Sequence, residues 1–255
     1  MTKSPVIIAA EFGGYPLLDD GFRSSRLLAA VACVRWQRAR SGGLDVSSRD
    51  LTAMFDPDVA LAVRALDLRL DIDWAPLTEV DTSRVDGAFD LIRTSVPEWT
   101  HLLAIPLRFG ATPPGWGSIS ASAFAWPQHI WLSKRAFATA AGLAEQVLHE
   151  ISHQWLYLIE EIVPLQTGGL DLRVVLPSGT ADRTVSELLG ALHVSLNLNR
   201  LWSAMPVDGH VRERRLDHLA MYISGCRKTL QGVEHALSAE GKELAVRMSE
   251  GADVP

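Results

Sequence analysis

Between Leu143 and Ile162 apolar side chains recur at helical spacing, at Leu143, Val147, Leu148, Ile151, Leu156 and Ile159, until Pro164 stops the run. A helix this long and this apolar, starting between Ser133 and Thr139, has to be a buried central element around which the rest of the chain is arranged. Within it stands His149-Glu150-Ile151-Ser152-His153. Positions i and i+4 lie one above the other on a helix, so both imidazoles can reach one metal ion while Glu150 points to its side. The constraint is double: the helix must be covered by other elements, yet one stripe of it must stay open to a ligand.

The remaining segments supply the cover. Phe22, Leu27, Leu28, Val31, Val34 and Trp36 predict an amphipathic helix over 21–40, ended by Ser41-Gly42-Gly43, whose five arginines read as a solvated face. Asp56-Pro57 predicts a capped helix start, and another helix is expected from Thr82 or Ser83 to about Ile92. From Leu102 to Leu132, turn formers and short apolar runs predict two to four strands. Helical spacing returns at Val185, Leu188, Leu189, Leu192, Leu196 and Leu201, after an irregular stretch from Gln166 to Asp182, and again from about Val211 to Leu237. The expected fold is α+β and mostly helical, with a small antiparallel sheet packed against the long central helix. It is read as one domain over 1–255: helical over 1–100, short strands over about 101–132, metal-site helices over about 137–204 and a C-terminal helix over about 209–240.

Charge and cysteine usage narrow the function classes. A net charge of -6 without a Lys/Arg block argues against a nucleic-acid surface, and small molecules or peptides are the expected partners. The N-terminal run Val6 to Ala10 is too short for a signal or an anchor, and no apolar stretch is long enough to span a membrane. Cys33 and Cys226 lack metal-binding spacing and predict two buried thiols in a reducing, cytoplasmic setting.

Two histidines need a third ligand from another element. Glu187 and His193 on the following helix are the candidates, and a glutamate on a following helix is how one large class of zinc peptidases completes its site. Six positions apart, the two would not face the same ion. Taken blandly, Glu187 is an exposed helix residue and His193 a satisfied core histidine. His129 could approach from the sheet, but pairing with backbone suits a strand histidine better, and His101, His210, His218 and His235 read as surface or core residues. Glu150 would be the general base of a zinc hydrolase; in an iron oxygenase it would orient a ligand or substrate instead.

Residues 118–202, about a third of the chain, resemble the bacterial HExxH family of 2-oxoglutarate-dependent peptide beta-hydroxylases, first known as peptide-modification proteins of ribosomal-peptide gene clusters. The matching pieces are Ser118 to Phe124, Val147-Leu148-His149-Glu150 with His153, Val163-Pro164-Leu165, Pro177, Arg183, Leu188-Leu189 and Arg200-Leu201-Trp202. Ile151 stands where that family has an aromatic, Ser178-Gly179 where it has Trp-Arg, Thr184 where it has proline, and Gly190 where it has His or Gln. The resemblance implies an Fe(II)- and 2-oxoglutarate-dependent dioxygenase that hydroxylates an unactivated C–H bond of a peptide or amino-acid-like substrate. It also implies a guanidinium for the distal carboxylate of 2-oxoglutarate, with Arg183 at the family's arginine position and Arg173 and Arg108 behind it. The alternative is a zinc metallopeptidase or other hydrolase using His149, His153 and Glu187, with Glu150 as base; a helical binding protein with a coincidental motif is the third reading.

Overall fold

Thr139 opens the central helix by accepting from the Gly142 amide at 3.0 Å, and Pro164 follows shortly after its end. The structure, a computed structural model, describes residues 8–46, 51–67, 75–113 and 115–250. Along the chain run α1 (Ile8–Phe12), α2 (Ser24–Ser41), α3 (Pro57–Ala65), β1 (Ala75–Pro76), α4 (Glu79–Ser95), β2 (Arg108–Ala111), β3 (Ser120–Ala121), β4 (His129–Leu132), α5 (Ala140–Glu160), α6 (Val185–Ala204), α7 (Gly209–Val233) and α8 (Ala239–Glu250). The fold is α+β and mostly helical, as the periodicities imply. Among the described residues no helix is long and apolar enough to cross a membrane.

Where the sequence reads as one domain, the chain resolves into two compact units: Ser24–Ile162, and a unit assembled from Met1–Arg23 and Val163–Pro255. The continuous unit holds the sheet and the central helix. Its strand order is β1-β2-β4-β3, and β4 pairs parallel with β2 and antiparallel with β3. The expected all-antiparallel sheet is therefore corrected to a mixed one. The chain leaves β3, turns back and inserts β4 between β2 and β3, which forces β4 to run the same way as β2. Trp99, Trp131 and Trp155 are buried in this unit, and Trp155 Nε1 donates to the Leu102 carbonyl at 3.0 Å. Gln154 ties α5 to the start of β4: its Oε1 accepts from the Gln128 amide at 2.8 Å and its Nε2 donates to the His129 carbonyl at 3.3 Å.

One boundary and one face differ from the sequence reading. Asp56 caps α3 as expected, but α4 starts at Glu79, because the Thr78 hydroxyl accepts from the Asp81 amide and stops the fraying a Thr82 start would imply. The expected arginine face of α2 is interrupted by Arg35, which is 1% exposed. Its guanidinium forks onto Glu161, Nε to Oε2 at 2.9 Å and a terminal nitrogen to Oε1 at 2.7 Å, while the other nitrogen donates to Met54 O and Gln128 Oε1. Cys33 is exposed, since Leu27, Val31, Ala32, Arg35 and Ala39 define the buried side of α2; Cys226 is buried, and burial pushes its thiol up to about 11.

In the other unit the expected C-terminal helix is α7, and a further helix, α8, follows it. The Ser238 amide donates to Leu165 O at 3.0 Å and its hydroxyl accepts from the Gly241 amide, which caps α8. A side chain at Gly241 would place its Cβ 2.1 Å from the Leu165 carbonyl oxygen, so only glycine permits that approach. Tyr15 donates to a Glu240 carboxylate oxygen at 2.6 Å and Arg247 reaches Asp19 at 2.7 Å, fastening residues before α2 to α8.

Candidate metal centre

From Leu143 to its end, α5 is buried except for one stripe: Gln146, His149, His153, Tyr157 and Glu160. These positions recur at three and four residues, so the stripe is the single line along which the helix meets solvent. The two motif histidines lie on it. Their ring centroids are 5.0 Å apart with planes inclined at 63°, and the His149 side chain keeps 37% of its surface exposed. His153 in turn stacks on Tyr157, with centroids 5.9 Å apart and planes within 13° of parallel.

Glu150 lies beside the stripe and is 2% exposed. Its carboxylate is held from the sheet: Ser120 Oγ donates to Oε1 at 2.5 Å and Ser122 Oγ to Oε2 at 2.6 Å. Ser120 Oγ also lies 2.8 Å from Gln146 Oε1. The two serines are two apart on an extended segment, so both hydroxyls emerge on the same side and each meets one carboxylate oxygen. Glu150 Oε1 stands 4.0 Å from His149 Nε2. Imidazole nitrogen is a preferred donor to first-row divalent ions, and the two rings supply two such donors.

The remaining sequence candidates are engaged by other groups of the protein. Glu187 forms a capping box at the start of α6: its side chain accepts from the Thr184 amide at 2.8 Å while Thr184 Oγ1 accepts from the Glu187 amide. Its other oxygen accepts from Arg183 at 2.7 Å. Burial raises the Glu187 carboxyl, but the Thr184 amide, Arg183 and the Thr184 hydroxyl outweigh it, and the net shift is downward. His193 is buried; its Nε2 donates to the Pro16 carbonyl at 2.9 Å, which leaves Nδ1 facing the Asn197 amide at 3.4 Å. Burial without a counter-charge pushes its pKa down to about 4, so the ring is neutral. Among the described residues no three His, Cys, Asp or Glu side chains gather into a group that could hold a metal.

His129 pairs with backbone, its Nδ1 donating to Pro127 O at 2.8 Å, and burial lowers its pKa. His101, His210, His218 and His235 are exposed. Arg173 donates to the Leu170 and Leu172 carbonyls, and Arg108 is forked onto Asp58 at 2.5 and 2.6 Å. Sequence reasoning passed over Ser120 and Ser122 as ligands of Glu150, although alternate serines before the motif helix are a readable signal. It gave no sign of Tyr157 beside His153, or of Gln128, whose backbone sits at φ 62° under hydrogen bonds to Phe55, Pro106 and Arg35.

No protein-family model matches the chain, and no curated protein is significantly similar to it.

Proposed function

We propose that the chain is a mononuclear metalloenzyme in which His149 and His153 hold the ion, and that the ion is Fe(II) working with 2-oxoglutarate to hydroxylate a C–H bond of a peptide or amino-acid-like substrate. The observation that carries this reading is the pair of rings 5.0 Å apart on the only open stripe of a buried helix. Iron(II) with a chelating 2-oxo acid contributes dioxygen activation and hydrogen-atom removal, and needs positions left open by the protein. The chain's own groups do the holding. The serine hydroxyls fix Glu150 as an acceptor, which supports a role in orienting the site over one as a mobile base. Arg183 pairs with Glu187, an exposed i+4 neighbour, a pairing worth about 1 kcal/mol or less.

Anaerobic addition of Fe(II) and then 2-oxoglutarate should produce the weak visible absorption of the chelate, and oxygen should then be consumed with formation of succinate. Turnover with zinc alone and no 2-oxo acid would sink the oxygenase reading. A zinc hydrolase is the second reading, favoured by the 4.0 Å between Glu150 Oε1 and His149 Nε2, which leaves the carboxylate near the ion for a proton transfer. Glu150→Gln separates the two: a hydrolase loses turnover while keeping its metal, whereas the oxygenase keeps most of its turnover.

A further inference from the structure

Along α4, Thr82, Asp86, Phe89 and Arg93 recur at intervals of four, three and four residues, so they share one stripe of the helix. That stripe is one wall of a groove of about 590 Å³ within the continuous unit, and most of the remaining lining comes from residues 103–109. The floor is apolar. Val85, Leu103 and Ile105 are buried there, and Phe89 meets Phe109 edge-on at a centroid distance of 5.9 Å. A groove of this volume is in the range that holds small organic ligands, about 300–1,000 Å³.

The stripe carries opposite charges at its two ends. Arg84 and Arg93, the guanidiniums nearest to Asp86 along α4, pair with Asp81 and Asp90, and Arg108 is forked onto Asp58. Among the described residues no cation pairs with Asp86. Arg93 meets Asp90 in a single contact at 2.7 Å with both side chains exposed. One turn before Asp86, the Thr82 hydroxyl donates to the Thr78 carbonyl at 3.0 Å and keeps its lone pairs for another donor. Seven residues of helix separate Asp86 from Arg93 by about 10 Å, and an extended chain covers that length in about three residues.

We propose that this groove binds a short zwitterionic peptide, of about three residues by that spacing, with its terminal ammonium on Asp86, an apolar central side chain on Phe89 and the floor, and its terminal carboxylate on Arg93. The groove and its ligand are independent of the metal reading. In calorimetric titration of the full chain, Ala-Phe-Ala should bind, N-acetylation and C-amidation should each weaken it about fivefold, and Ala-Gly-Ala should bind about tenfold more weakly. Asp86→Asn should bind the free and the acetylated peptide alike while still preferring the acid over the amide, and Arg93→Gln should show the converse. Each variant alters an exposed residue, and the preference retained at its other end reports that it is folded. Lack of saturable Ala-Phe-Ala binding at millimolar concentration overturns the inference, and so does binding weakened by neither modification or by only one. Discrimination that persists in the matching variant places the peptide elsewhere and overturns it equally.

Discussion

Ser122 Oγ donates to Glu150 Oε2 at 2.6 Å, so the strand edge and the histidine-bearing helix are joined through the residue between the two motif histidines. Removing that donor leaves a buried carboxylate short of a partner. Ser122→Ala should destabilise the protein by about 1–3 kcal/mol in urea unfolding and weaken Co(II) binding by roughly tenfold, with Ser120→Ala similar. Unchanged metal affinity in both variants would remove Glu150 from any role in orienting the site.

The histidine pair and the next helix make separate claims on the metal. His149→Ala and His153→Ala should each abolish stoichiometric Co(II) or Fe(II) retention. Glu187→Ala should retain it, losing only about 1 kcal/mol of stability with the capping box. Loss of metal in the Glu187 variant would restore that residue as the third ligand.

Arg35 and Glu161 form a buried fork, and breaking one side strands a charge. Arg35→Met alone, or Glu161→Gln alone, should cost about 3–5 kcal/mol, and the double variant less than the sum of the two. Additive losses in chemical denaturation would show that the pair is not coupled.

His193 makes stability depend on pH in a direction set by its burial. An unfolded chain protonates this ring below about 6.5, whereas the folded one holds it neutral down to about 4. The unfolded state therefore binds the extra proton in that window, and stability is full above it and falls as the pH drops. Between pH 7 and pH 4.5 the contribution lost is roughly 2 to 3 kcal/mol. His193→Gln, which keeps a donor for Pro16 O, should show a correspondingly smaller loss over the same interval. Identical pH slopes in the two proteins would contradict a neutral buried ring.

How much of this was legible in the sequence depended on the range of each interaction. The central helix, its start near Thr139 and the Asp56-Pro57 cap follow from local spacing, because the groups that satisfy one another are three or four residues apart. Arg35 was indistinguishable from its solvated neighbours, since what draws it inward is a carboxylate 126 residues away. The parallel pairing of β2 with β4 is likewise a matter of where the chain turns back, which strand propensity does not encode. Glu187 and His193 show the limit for sites: residue type and helical placement permitted metal ligation, while the Thr184-x-x-Glu187 capping box is a readable local signal and the Pro16 carbonyl, 177 residues from His193, is not.

The division of the chain has a consequence for synthesis. Residues 24–162 are an insertion within the other unit, whose two parts are made before and after it. The insertion can complete its sheet and close the Arg35–Glu161 fork while translation continues. Tyr15 and Asp19 must wait for Glu240 and Arg247, partners that are made only after the whole insertion.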